Sequence, residues 1–545
     1  MKSLGELEEA LGLGRGTLRP AGADSGKVPV ATVRRLVDGG ARRGKLVLVT
    51  AMTPTRHGEG KTVTAIGLAD GMAAEGHRAT LCLRQPSLGP VFGIKGGATG
   101  GGRATVEPSV RINLGFTGDF HAVADASNLL CALVENHRYH GNPLGLRRDR
   151  EFLPRALDVE DRALRRVTTG GGLDPKLPAA PGSFVITAAS EVMAILALAR
   201  DYPDLKARLG RILVGLREDG TAVRASALRA EGALTAILRD ALEPNVTQTA
   251  EGTPAIVHAG PFGNVAHGTA SRLAIELGLA TSEYCIVEAG FSTELGAEKF
   301  VDIVTPELGV GVDAGVLVVT LRALRVQGGA SDEAAARPDT AATERGCANL
   351  EQHLDNLATL GIAAVVALNR FPGDSPEEIA GVRAFCRSRG AEVVESRAFE
   401  NGGAGAVDLA RAVRAVAALG RRSRPLLPPG AGPAEQIRAI VTRLYGGAGI
   451  AASAAAEEEL AEMVRLGESQ GPVCVAKTPL SLSHDPNLLG RPRGFVVPVK
   501  RYTRWAGAGF TVAYLGPVTT MPGLPAHPSS ERIDVEADGT IVGLL

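Results

Sequence analysis

The 545-residue chain has no excess of either charge, with 59 basic side chains against 59 acidic ones. A general nucleic-acid binder, or a polybasic partner of membrane headgroups, needs a net positive surface, so both are set aside. The six cysteines, Cys82, Cys131, Cys285, Cys347, Cys386 and Cys474, form no C-x-x-C pair and have no histidine cluster beside them. Neither zinc nor a disulfide framework is expected; buried, reduced thiols in a cytoplasmic protein are. The longest apolar stretch, 186–199, carries Glu191 and is too short to cross a bilayer. Residues 1–13 are acidic and lack the apolar segment of a secretory signal. No internal repeat is apparent. The length exceeds what a single core supports, so two or three domains are expected.

Against these absences one stretch stands out. Residues 46–50 form an apolar run that reads as a buried parallel strand. The run breaks at Pro54, passes Gly58 and Gly60, and leads into a helix-capable segment, 63–74. Strand, glycine-containing loop and helix in that order is the context of a phosphate-binding loop. The window Thr55-Arg56-His57-Gly58-Glu59-Gly60-Lys61-Thr62 follows the usual spacing, with Thr55 where the first glycine stands. In such a loop successive N–H groups face one anion, Lys61 serves the outer phosphates and the Thr62 hydroxyl holds Mg²⁺. A G-K-T tripeptide alone fits an ordinary turn with a surface lysine equally well; the flanking strand and helix favour nucleotide binding.

Downstream, 79–83 reads as a second strand, ending at Arg84. The glycine-dense stretch 92–102 is too rich in glycine for helix or strand and reads as a substrate-wrapping loop. A strand is expected near 112–116, with Asp119 and His121 beyond its end. Helices are expected at 122–139, 159–168, 190–199 and 225–242. Further strands fall at 212–216, 255–259, 284–288, 316–321 and 363–368. This alternation predicts an α/β fold, a P-loop NTPase-like doubly wound parallel sheet with ligands along its carboxyl edge, and additional α/β and α+β C-terminal domains. The proline- and glycine-rich stretch 426–433 is the clearest linker. The expected domains are 1–340, the nucleotide domain with its N-terminal helices and glycine-rich loop; 341–430, an α/β domain; and 431–545, a smaller α+β domain closed by a hairpin around Asp538-Gly539.

Taken together, these segments resemble the formate–tetrahydrofolate ligase (formyltetrahydrofolate synthetase) family along almost the whole chain. The resemblance rests on TPTRHGEGKT at 53–62, RQPSLGPVFGIKGGATGGG at 84–102, FTGDFHA at 116–122 and ASEVMAIL at 189–196. It continues in GPFGNVAHG at 260–268, EAGFSTELGAEKF at 288–300, NRFP at 369–372, KTPLSLSHDP at 477–486, MPGLP at 521–525 and ERIDVEADGTIVGL at 531–544. It implies ATP-dependent formation of 10-formyltetrahydrofolate from formate and tetrahydrofolate through formyl phosphate, with Mg²⁺, a monovalent cation and a homotetramer. It implies that Lys61 and Arg84 are catalytic, Arg84 gripping formate or the acyl phosphate. It assigns Phe371 and Pro372 to one wall of the pterin slot, Phe399 to the other in place of a tryptophan, and Phe291 to the reaction centre. The chain departs from the family pattern at Gln85 (glutamate), Gly115 (histidine), Arg111 (an acidic residue), Ser109 (methionine) and Asn401. Two other readings are carried: a paralogue that activates another carboxylate or uses another amine, and a nucleotide-binding protein without ligase activity.

Overall fold

The computed structural model describes all residues except 41–42, 95–96, 172–173, 175 and 545; Lys95 and Gly96 of the glycine-dense stretch therefore lie outside the described residues. A twelve-stranded sheet dominates the chain. Its main strands are β1 (Lys45–Ala51), β2 (Ala79–Leu83), β3 (Ala104–Glu107), β4 (Asn245–Thr249), β5 (Pro254–Val257), β6 (Tyr284–Glu288), β7 (Ala314–Val319), β8 (Ala364–Asn369) and β9 (Glu392–Ser396). Across the sheet they run β4-β5-β2-β6-β1-β7-β8-β9. From β5 to β9 every pairing is parallel, while β4 is antiparallel to β5 and to β3. The fold is therefore mixed α/β on a parallel-rich sheet. The strands β8 and β9, which follow residue 340, continue it rather than starting another.

Both faces of the sheet are covered, as continuous apolar strands require. On one face Val47, Val49 and Ala51 pack against Ile66 and Leu68 of α1 (Lys61–Ala74) and Leu409 and Val413 of the helix Val407–Ala417. On the other, Leu46, Leu48 and Met52 join one large core with residues of the helices Arg272–Thr281 and Thr340–Thr359. All six of these side chains, five on β1 and Met52 just past it, are fully buried. Each leucine or valine so placed contributes about 1.5–3 kcal/mol of transfer free energy, which fixes the strand that carries the loop.

Several local expectations are corrected. Residues 109–113 form a short helix, not a strand, and a second helix, α2, spans Asp119–Tyr139. The 159–168 segment is a 3₁₀ turn at Arg162–Arg165 followed by a strand, Val167–Thr169, paired with Ala180–Gly182. The 225–242 helix is broken at Arg229, which adopts φ 54°, so only Glu231–Ile237 is α-helical. The strand at Leu213–Leu216 pairs in a small side sheet with Ala222–Arg224. Within the glycine-dense stretch, Gly100–Gly101 pairs with Ala104–Thr105. Toward the C-terminus, Val473–Ala476, Phe510–Tyr514 and Arg501–Trp505 make a three-stranded sheet, and the expected hairpin forms from Asp534–Val535 and Ile541–Val542. No helix among the described residues is long and apolar enough to cross a membrane.

Candidate active site

The loop after β1 is shaped by two left-handed glycines, Gly58 (φ 76°) and Gly60 (φ 71°), conformations that cost a residue with a side chain. It is braced from within. The Glu59 carboxylate is buried and accepts the Thr55 N–H (2.6 Å) and the Thr320 hydroxyl (2.5 Å). Asn369, the last residue of β8, donates to the Glu59 carbonyl (2.8 Å), and its Oδ1 accepts from the Thr64 hydroxyl (2.9 Å). Thr55 accepts the His57 N–H (3.2 Å), and the Arg56 and His57 side chains are exposed. The side chains of Thr55 and Glu59 are thus spent on the loop itself. What the loop turns toward the sheet edge is its backbone, Lys61 and Thr62.

The Thr62 hydroxyl donates to Glu288 Oε2 at 2.8 Å. Glu288 closes β6, the strand next to β1. Burial pulls the Lys61 ammonium below its ordinary pKa, while Glu288 and Glu59 draw it back up. Arg84 follows directly on β2, one strand further along, and donates to the Pro261 carbonyl (3.2 Å). Burial lowers its pKa too, with Glu288 again opposing. One carboxylate therefore balances two cations at the carboxyl ends of three adjacent strands, β1, β6 and β2.

The aromatic residues stand at the same edge. Phe371 lies just past β8 and Phe399 just past β9, whose last residues, Asn369 and Ser396, are paired. Both rings are open, 49% and 57% exposed, and Pro372 beside Phe371 is exposed as well. The two exposed phenylalanines thus follow the ends of neighbouring strands. Phe399 is held from behind by glycines. A Cβ on Gly102 (φ 60°) would lie 2.1 Å from the Phe399 carbonyl oxygen, and one on Gly101 would lie 3.1 Å from its ring. Arg103 N–H donates to that carbonyl (2.8 Å). Phe291 is half-buried at φ 59°, and a Cβ on Gly263 would lie 3.2 Å from its ring.

A family model described as formate–tetrahydrofolate ligase matches residues 1–545. The formate–tetrahydrofolate ligase of Thermus thermophilus is 49% identical over 540 residues, covering 99% of this chain and 98% of the relative. Those of Paracoccus denitrificans (47% over 543 residues; 99% and 97%) and Myxococcus xanthus (46% over 550 residues; 100% and 99%) are similar to it over equal spans. The chain belongs to the formate–tetrahydrofolate ligase family.

In this family member, two departures from the pattern touch each other. Gln85 Nε2 donates to the Gly115 carbonyl at 3.3 Å. A carboxylate at 85 has no proton to offer that carbonyl. Gly115 adopts φ 100°, and a Cβ there would meet the His121 ring at 3.3 Å, so a histidine at 115 would be strained and crowded. Arg111 faces away from the sheet edge; its guanidinium donates to the Ala21 carbonyl and to Ser25 Oγ (3.3 Å). Asp119 is not free for chemistry either. It is buried, paired with Lys27 (2.9 Å), and accepts from Asn245 (2.7 Å).

Sequence reasoning passed over residues that brace the loop. Glu288, Asn369, Thr320 and His353 all fix the loop or its threonine. For Glu288 the signal was present: an acidic residue at the carboxyl end of a predicted strand. His267 lies beyond β5 with neither ring nitrogen hydrogen-bonded, and burial, with Arg84 and Lys299 nearby, lowers its pKa to about 3. Among the described residues no cluster of three or more His, Cys, Asp or Glu side chains is arranged to hold a metal ion.

Proposed function

We infer that the chain is an ATP-dependent ligase that joins formate to tetrahydrofolate, giving 10-formyltetrahydrofolate, ADP and phosphate. The observation that carries this reading is the Thr62–Glu288 contact beside Lys61, one strand from Arg84, in a chain of this family. A formate oxygen attacks the γ-phosphorus as the bond to the ADP oxygen breaks, giving formyl phosphate. The folate amine then attacks the formyl carbon, loses its proton, and inorganic phosphate leaves. Formate alone is a poor acyl donor, and phosphorylation supplies the leaving group. Phosphoryl transfer asks mainly for charge neutralisation and alignment. The Lys61 ammonium and the N–H groups at the start of α1 meet the phosphates, and the planar guanidinium of Arg84 holds formate and then the acyl phosphate through paired donors.

The Thr62 hydroxyl and the Glu288 carboxylate are oxygen donors suited to Mg²⁺ once phosphates and water complete the shell; the ion supplies charge neutralisation. Phe371 and Pro372 against Phe399 form the pterin slot, with Phe291 nearer the transferred group. The same reading includes a doubly wound P-loop architecture, with residues 1–340 carrying nucleotide and formate, 341–430 the folate wall, and 431–545 a smaller closing domain. A homotetramer and dependence on a monovalent cation go with it; sedimentation and exchange of K⁺ for Na⁺ in the assay check both.

The test is formation of 10-formyltetrahydrofolate from formate, MgATP and tetrahydrofolate, with Lys61→Ala and Arg84→Ala beside the parent. Both variants are expected to lose turnover while keeping their fold. A folded parent that makes no formyl-folate overturns the reading.

A further inference from the structure

Two segments of the resemblance, 189–196 and 521–525, take no part in the sheet-edge site. They meet at a cavity of about 470 Å³. Its walls come from α2, from segments around Phe152 and Phe184, from the helix Ala454–Arg465, and from strand β10 (Arg501–Trp505). None of Lys61, Arg84, Glu288, Phe371 or Phe399 borders it. It opens to solvent and has the volume of a whole small ligand.

Its lining carries five glutamates and four arginines. Every carboxylate facing it is already engaged. Glu151 accepts from the N–H and hydroxyl of Ser183 (2.7 Å each), and Glu459 from the Tyr502 N–H (2.6 Å). Glu462 pairs with Arg150 (2.6 Å), Glu468 with Arg504 (3.1 Å), and Glu191 accepts from the N–H groups of Gly507 (2.7 Å) and Ala508 (3.3 Å). Arg165 and Arg501, exposed at the rim, have no carboxylate within 4 Å among the described residues. Arg165 donates to the Met521 carbonyl (2.9 Å), and Arg501 lies over the Tyr514 ring (4.3 Å). Inside, Trp505, Phe152, Phe184 and Met463 offer flat and polarisable apolar walls. Two guanidiniums without a carboxylate partner thus stand beside an aromatic lining.

We propose that this cavity is a second ligand site, which takes a planar heteroaromatic molecule with a carboxylate or phosphate tail, the ring among Trp505 and the phenylalanines and the anion on Arg165 and Arg501. Two compounds at hand have that chemistry: a reduced folate with its glutamyl carboxylates, and an adenine nucleotide. The two guanidiniums supply charge-assisted, bidentate bonds, and the walls supply stacking.

Trp505 is the only tryptophan of the chain, so its emission reports directly on the cavity. The intact enzyme is titrated with 5-formyltetrahydrofolate and, separately, with AMP, following Trp505 emission and calorimetric heat. The same titrations are run on an Arg165→Ala/Arg501→Ala double variant and on Phe371→Ala. At least one anion is expected to change the emission, with an affinity that falls about tenfold or more in the arginine variant and holds in Phe371→Ala. Response to folate alone or to AMP alone identifies the source. If neither anion at about 1 mM moves Trp505, or if the arginine variant, folded by circular dichroism, binds as the parent does, the site does not exist. Binding is read without turnover, so the result stands apart from that of the ligase assay.

Discussion

His353 Nε2 accepts the backbone N–H of Thr53 at 2.8 Å, while its Nδ1 lies 2.7 Å from the Thr293 hydroxyl. A backbone N–H can only donate, so the ring is neutral with its proton on Nδ1. A residue of the helix Thr340–Thr359 thereby anchors the entrance to the phosphate loop some three hundred residues earlier. His353→Leu leaves the buried Thr53 N–H without its acceptor, while the Thr293 hydroxyl keeps the Asn356 amide (3.1 Å), a cost of about 1–3 kcal/mol. A lower melting temperature, and a KM for ATP that rises more than the KM for tetrahydrofolate, are the expected results in thermal unfolding and initial-rate measurements.

Replacing Thr62 by valine keeps the volume and removes the hydroxyl that meets Glu288. The expected loss is in kcat, roughly a hundredfold or more, with the folate KM little changed. Steady-state kinetics across a MgCl₂ series checks this; a kcat within a few-fold of the parent would remove Thr62 from the site.

Gly102→Ala sets a Cβ against the Phe399 carbonyl at a left-handed position. Strain there costs about 1–3 kcal/mol, and relief moves Phe399. The KM for tetrahydrofolate should rise while that for ATP holds. Equal rises in both would show that the turn does not act through the aromatic wall.

Burial pushes the Glu191 carboxyl up to about 7, even with two N–H groups opposing it. Its unfolded value is near 4.5, so between these values the folded chain holds a proton the unfolded chain has released. The stability linked to that proton is complete below about pH 4.5 and is lost as pH rises through about 7. Glu191→Gln keeps the acceptor oxygen and removes the titration. Its melting temperature relative to the parent should therefore climb from pH 5 to pH 8, measured by calorimetry in matched buffers. A difference that is flat with pH would contradict the shift.

The strand that carries the loop, the helix after it and the strand at Ala79–Leu83 were legible because each is a local pattern: an apolar run, a glycine turn, a helix former. Phe371 was legible through its motif. The 112–116 segment was not. Ile112, Leu114 and Phe116 alternate like a strand, yet Gly115 and Gly118, at φ 100° and 87°, turn the chain back, and Asn113 spends its side chain on Ser109 and Thr99. The 159–168 segment has helix-forming composition, but antiparallel pairing of Val167–Thr169 with Ala180–Gly182 outweighs propensity. Glu288 illustrates the deeper limit. Its partner Thr62 lies in the first turn of α1, beyond β1, and nothing local states that β6 and β1 are neighbours. Strand order is a tertiary fact, and the site is built from it.

That order also bears on synthesis. β1 lies between β6 and β7, so its hydrogen-bonding edges have no partners until residues 284–319 have emerged from the ribosome. At about 5–20 residues per second the wait is some tens of seconds. Through that interval an apolar strand is exposed as a nascent chain, in the form most prone to wrong pairing. Growth conditions that slow translation lengthen the interval, and a chaperone that shelters extended apolar segments has this strand to act on.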